Sequence, residues 1–221
     1  MPRVSDQFRA ARRQAVLDAA SECFLAHGYR GASMHQIIAA TGLSAGALYH
    51  HFPGGKAELV SECVRTGLNG VLEAISPADP RTEQPQEGFQ PDAWLVGALE
   101  QLAASPRLAR LLLITWAEAA VDPAVAELMG THQETLRSAI DRVFADWAVA
   151  ELGLAEASAR QWVEMFSQAV LSVLQGWVVQ SALLPGFDHE AYLDYARTIV
   201  APDEGTDEGA DANPDEDPEG R

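Results

Sequence analysis

Apolar residues recur at helical spacing along nearly the whole chain. No stretch between turn residues alternates polar and apolar as a half-buried strand would. In the first segment Val16, Ala20, Cys23, Phe24 and His27 fall at i, i+4, i+7, i+8 and i+11, and Gly28 supplies a C-terminal stop. A short helix follows Ser33, whose hydroxyl caps it with Gln36 at the reciprocal capping-box position, and it ends at Thr41-Gly42. A second short helix runs from Ser44 to about His51. Pro53-Gly54-Gly55 then breaks the chain before a longer helix from about Lys56 to Ile75. Beyond a Pro-bearing connection at 76–92, helices are expected at about 92–104, 107–121, 123–151, 156–184 and 188–200, with Pro106 and Pro123 at start positions. The expected fold class is all-α.

A length of 221 residues allows one domain or two and a sizeable core. The expected division is an N-terminal helical domain at 8–60, a helical domain at 61–200 and an acidic tail at 201–221 too polar to order itself. Two cysteines, Cys23 and Cys63, lie in apolar-periodic segments, which excludes a disulfide scaffold and suits a reducing cytosol. The polar, arginine-bearing N-terminus has no apolar h-region. The apolar run from Ala169 to Leu184 is interrupted by Ser172, Gln175, Gly176, Gln180 and Ser181, short of the ~20 residues a membrane span needs. A cytoplasmic protein with no membrane partner is expected.

The formal charge of −17 is unevenly placed. Residues 1–60 hold six cations against four anions, residues 61–200 eight against nineteen, and residues 201–221 one against nine. Only the mildly basic head can approach a phosphate backbone without repulsion.

Residues 33–52 have the layout of a helix-turn-helix. The first helix is apolar at Met34, Ile37 and Ile38, Gly42 makes the turn, and Leu43 plugs the core. The second helix offers Ala45, Gly46 and Ala47 to solvent, with Leu48 and Phe52 as inward anchors. Small residues there let a helix N-terminus sit deep in a major groove. Tyr49, His50 and His51 follow on the same helix. Adjacent histidines point about 100° apart and have no ligand-spaced Cys or carboxylate beside them, so no metal and no cofactor is expected. No nucleophile–base pair or phosphate-loop spacing supports catalysis, and an enzyme is not expected.

The run Gly28-Tyr29-Arg30-Gly31-Ala32-Ser33, then Ile37, Gly42-Leu43-Ser44, Gly46, Leu48-Tyr49-His50-His51-Phe52 and Lys56-Ala57-Glu58-Leu59 resembles the DNA-binding domain of the tetracycline-repressor (TetR) family. The resemblance covers about residues 10–60. It implies a homodimeric transcriptional regulator, usually a repressor released from a near-palindromic operator in double-stranded DNA by a small molecule. It further implies phosphate contacts from Ser33, Tyr49, His51 and Lys56 and base contacts from Ser44, Ala45 and Gly46, with His50 beside them. Pro53-Gly54-Gly55 is one residue longer than the family's usual spacer. Two glycines before a helix start are expected to leave backbone N–H groups open to an anion. Arg9, Arg12 and Arg13 are further candidates for phosphate contact.

In the C-terminal half, Leu136, Ile140, Val143, Phe144 and Trp147 mark the core stripe of one helix. Trp162, Met165, Phe166, Ala169, Val170, Val173 and Trp177 mark that of the next, with Val163, Leu171, Val178 and Leu183 off it. A helix apolar nearly all round needs cover on two sides. A second subunit is the expected cover, through helices 156–184 and 188–200, with Tyr192, Ala196, Ile199 and Val200 facing the mate. The expected ligand pocket draws on Trp94, Leu112, Trp116, Met129, Trp147, Trp162, Met165 and Phe166, with Gln133 or Gln168 as polar handles. Its expected inducer is a small apolar molecule. A helical ligand carrier, whose N-terminal helices merely pack, is the competing reading.

Overall fold

The computed structural model describes residues 6–75 and 90–200. The acidic tail, nearly all of the 76–92 connection and the side chain of Arg9 lie outside the described residues. Among those described there are nine α-helices and no strand: α1 (Asp6–Gly31), α2 (Met34–Thr41), α3 (Ala45–His51), α4 (Gly55–Ile75), α5 (Pro91–Ala103), α6 (Pro106–Ala119), α7 (Pro123–Ala150), α8 (Glu156–Leu183) and α9 (His189–Val200). No described helix is long and apolar enough to cross a membrane.

Local chemistry sets the boundaries in the head. Gly28 sits at φ 68°, ψ 173°, a conformation that an L side chain resists, and it interrupts α1 where the sequence places a stop. The chain then turns Tyr29 inward to stack on Phe24, ring centroids 6.0 Å apart. Ser33 and Gln36 form the reciprocal capping box: the Gln36 N–H donates to Ser33 Oγ at 3.2 Å, and the Ser33 N–H donates to Gln36 Oε1 at 2.8 Å. Gly42 closes α2 at φ 67°, while Thr41 Oγ1 accepts the Leu43 N–H at 3.3 Å across the turn. Ser44 caps α3 by accepting the Ala47 N–H at 3.2 Å.

One apolar cluster runs from Val16 in α1 to Ala196 in α9. It passes from head to body through Leu59, Val60, Val64 and Leu68 of α4, all buried. Ion pairs fasten α1 to the helices behind it: Arg13 to Glu62 of α4 at 2.6 Å, Glu22 to Arg107 at the start of α6, and Arg30 to Glu118 near the end of α6 at 3.1 Å. Helices α4 and α6 approach closely at Gly67, where an added Cβ would stand 2.6 Å from Leu108 Cδ1.

The body corrects two facings expected from periodicity. On α8 the buried positions are Val163, Val170, Leu171, Val173, Leu174, Trp177 and Val178, together with Ala159 and Ser167. Val163, Leu171 and Val178 therefore belong to the core stripe, whereas Met165 is 66% exposed and Ala169 also faces solvent. On α9, Ala196 is fully buried and the Tyr192 hydroxyl donates to the Val173 carbonyl at 2.7 Å. Tyr192 and Ala196, expected to face a mate, thus pack within their own subunit, while the side chain of Val200 lies outside the described residues. Gly176 makes room for Tyr192, since a Cβ there would lie 2.8 Å from Tyr192 Oη.

Candidate nucleic-acid interface

Helix α3 is held from beneath and open above. Leu48 and Phe52 are fully buried, while Ser44, Ala45, Gly46, His50 and His51 are exposed and Tyr49 is 46% exposed. Nothing lies within 4 Å of a Cβ built on Gly46, so the first turn presents a low, bare surface. The rings of His50 and His51 lie edge to face with centroids 5.7 Å apart, and both imidazoles are exposed. The exposed residues share the outer face of a helix whose two large apolar side chains point inward.

Several cations of the head do not reach that face. Lys56 Nζ donates to the carbonyls of Tyr29 at 3.0 Å and Ala32 at 3.3 Å, and it lies over the Tyr29 ring 4.4 Å from the centroid. The ammonium thus ties α4 to the end of α1, so it is engaged internally where the resemblance implies a phosphate contact. Arg13 is half-buried between Glu62 and the Phe52 ring, at 5.0 Å from the centroid. Its pull, with that of Arg65, holds the Glu62 carboxyl below its usual range; the hydrogen bond from Arg65 is the largest cause. Arg30 is engaged by Glu118, whose hydrogen bond raises the guanidinium pKa further. Arg12 is exposed and makes no ion pair among the described residues.

The glycine turn is also filled from within. The Gly54 N–H donates to Glu58 Oε2 at 2.7 Å and the Gly55 N–H to the Phe52 carbonyl at 3.0 Å. The anion site expected before α4 is therefore occupied by the chain's own carboxylate. The Ser33 hydroxyl donates to Gln36 Oε1 at 2.8 Å, so it must exchange that partner before it can donate to a phosphate. The two thiols stay protonated: burial pushes Cys63 up to about 11 and raises Cys23 as well.

Behind the head, five helices line a small, partly open cavity of about 40 Å³. Its wall comprises Val64, Leu68 and Val71 of α4, Leu102 of α5, and Leu112 and Trp116 of α6. Helix α7 adds Met129, His132, Gln133 and Leu136, and α8 adds Leu171, Leu174, Gln175 and Val178. Of the expected pocket residues, Leu112, Trp116, Met129 and Gln133 line it. Trp94, Trp147, Trp162 and Phe166 do not. They surround Phe144 in an aromatic cluster, with centroids 5.0 Å apart for Trp94–Phe144, 4.7 Å for Phe144–Phe166 and 4.6 Å for Trp162–Phe166. Met165 and Gln168 face solvent. The sequence reading missed Val64, Leu68 and Val71, although their i, i+4, i+7 spacing marks the inward face of α4. It also missed His132 and Gln175. Gln175 was visible as a polar break in an apolar run, one helical heptad beyond Gln168.

His132 links the cavity to α4. Its Nε2 and Ser61 Oγ share a hydrogen bond of 2.9 Å, and burial lowers the imidazole pKa against a smaller opposing hydrogen bond to the Ser61 backbone. Burial therefore favours the neutral imidazole.

An all-α fold with a three-helix head and an exposed, small-residue third helix has the architecture of a helix-turn-helix protein. The family described as "Bacterial regulatory proteins, tetR family" matches residues 16–63. The chain is 31% identical over 140 residues to the HTH-type transcriptional repressor Rv1474c of Mycobacterium tuberculosis, covering 57% of this chain and 67% of that one. It is 37% identical over 78 residues to the HTH-type transcriptional regulator LmrA of Bacillus subtilis, covering 35% of this chain and 42% of that relative. Salmonella enterica GusR has the same fold, with a TM-score of 0.70 at 24% identity over 90% of this chain and 97% of that one. The chain belongs to the tetR family of DNA-binding transcriptional regulators.

Proposed function

We propose that this regulator is a homodimeric repressor that binds a near-palindromic operator through α3 and is released by a small molecule entering the five-helix cavity. The observation that carries the DNA reading is the outer face of α3: Ala45, Gly46, Tyr49, His50 and His51 lie exposed over the buried anchors Leu48 and Phe52. Ser44 opens that helix with its hydroxyl hydrogen unengaged among the described residues, so it can donate to a base or phosphate. Residues 8–60 supply the DNA-binding unit and 61–200 the ligand and dimer unit, with α4 crossing the boundary between them.

The dimer surface is the edge of α8 and α9 that the subunit leaves uncovered. Met165, Val179 and Leu183 follow one another along α8, and Tyr195 of α9 is 60% exposed. Ala169 and Ser172 lie between Met165 and Val179 on the same stripe, exposed and small enough for a second helix to pack close. A two-fold pairing there presents two α3 helices to successive major grooves, about 34 Å apart.

The cavity is smaller than a drug-sized ligand, so binding must part its walls, and α4 carries three wall residues on the helix that enters the head. A ligand favours release only by preferring the conformer with mis-spaced heads. A coupling of about 1–3 kcal/mol would weaken operator binding roughly 5- to 150-fold.

Selection of genomic fragments by the purified protein, followed by footprinting, tests the reading. A protected site with two-fold symmetry is expected, lost in Tyr49→Ala. Retention of full binding by Tyr49→Ala and Gly46→Leu together would exclude α3 as the reading helix. Arg12→Ala should flatten the salt dependence by about 2 units of log–log slope per dimer, at ~0.9 for each phosphate no longer neutralised.

A further inference from the structure

The polar groups of the cavity are few, uncharged and paired in a way that leaves something over. Gln175 Nε2 donates to Gln133 Oε1 at 2.9 Å across the α7–α8 seam. That bond uses one donor of one amide and the oxygen of the other. Gln133 keeps its NH₂ donors and Gln175 keeps its carbonyl oxygen, with no further partner for either among the described residues. The amide pair therefore offers a donor and an acceptor side by side, on a wall otherwise built from Val, Leu, Met and Trp plus the neutral His132. No Lys, Arg, Asp or Glu is among the described residues that line the cavity.

Each ligand class meets this wall differently. A carboxylate brings only acceptors and a full charge, finds no cation, and faces the Gln175 oxygen. An ammonium brings only donors and finds no anion. Either ion is taken from water without a counter-charge, which is strongly unfavourable. A carboxamide, lactam or hydroxyl carries donor and acceptor together and satisfies both glutamines while its hydrocarbon part lies against Leu68, Leu112, Trp116 and Leu174.

We propose that the effector is an uncharged, mainly apolar molecule with a single amide-, lactam- or hydroxyl-type group seated on the Gln133–Gln175 pair. The proposal rests on the cavity being the effector site and adds the chemical class to that reading.

Octanamide, octanoate and octylamine at pH 7.5 test it, since they share one tail and differ in the head group. Binding is followed by calorimetry and by Trp116 fluorescence against a Trp116→Phe control, and release is followed separately on the footprinted duplex. Octanamide should bind at least tenfold more tightly than either ion, and Gln133→Leu/Gln175→Leu should remove that preference. Gln133→Met and Gln175→Met singly, closer in volume, should each weaken it if the double variant fails to fold. Octanoate or octylamine binding as well as octanamide overturns the proposal. So does an amide preference unchanged in the glutamine variants, or no octanamide binding up to its solubility limit. Octanamide that binds with the expected preference yet leaves the duplex bound supports the ligand class and removes the release reading. Duplex release by octanoate with no response to octanamide overturns the class and leaves release standing.

Discussion

The head and the body are both helical, yet different forces fix their helices. In the head, α2 and α3 are eight and seven residues long, too short to persist alone, and side chains close at hand stop and cap them. Ser33, Gln36, Thr41, Gly42 and Ser44 each bond or turn within a few residues of their own position. In the body, α7 and α8 each run 28 residues and have little local chemistry to say which face turns inward. Their orientation is a property of the packed bundle. A region fixed by local bonds keeps its outer face free for a partner, as α3 does. A region fixed by burial has its exposed apolar edge wherever packing happens to end.

The sharpest way to break this contrast is to remove an inward anchor of the head. Phe52→Ala deletes a fully buried ring and should destabilise by about 3–5 kcal/mol in urea denaturation, with DNA binding lost at the same time. A loss under about 1 kcal/mol would mean that the caps alone hold α3. Next in size is Gly67→Ala, which drives a methyl into Leu108 where α4 packs on α6 and should cost about 1–3 kcal/mol by overpacking. An unchanged midpoint would show that α4 and α6 separate easily at this point. Ser33→Ala should cost about 1 kcal/mol, since it removes the hydroxyl side of the capping box, and circular dichroism melts will register it.

The body's response to pH sharpens the same comparison. Half-buried His132 resists protonation in the fold, whereas the unfolded chain takes up the proton near ~6.5. Its folded pKa is the lower one, so the associated stability is complete above that range and is lost as the pH falls through it. Glu62, lowered by Arg65 and Arg13, adds a loss of the same sign further down, through the carboxylate range. His132→Gln should flatten only the upper part of the profile in melts taken from pH 8 to 5. The smallest expected effect on subunit stability is that of Met165→Ser, within about 0.5 kcal/mol because the side chain is 66% exposed. The same change should weaken self-association in analytical ultracentrifugation, and an unaltered dissociation constant would place the dimer surface elsewhere.

Element order, helix limits and the turn of the head were legible in the sequence because each depends on residues within about four positions of one another. Gly28, the Ser33–Gln36 box and the proline starts of α6 and α7 are signals of that kind. The inward anchors Leu48 and Phe52 were legible too, because a seven-residue helix offers few choices of face. Side-chain partners across 24 residues or more were not. Lys56 looked like a cation free for phosphate until the fold brought it under the carbonyls of Tyr29 and Ala32. Glu58 and the glycine turn show the same limit at shorter range, since only the bend at 53–55 brings that carboxylate back onto the Gly54 N–H.

The sequence by itself determined that this chain is a row of helices with a helix-turn-helix near its start, because hydrophobic period, caps and glycine stops act locally. The tertiary structure alone decided which tryptophans are core and which one lines a cavity. It also decided which edge of α8 stays bare and which head cations remain free. Each of those outcomes depends on where a distant helix lands, and a helix that is apolar on most of its surface is satisfied by more than one neighbour until the bundle closes.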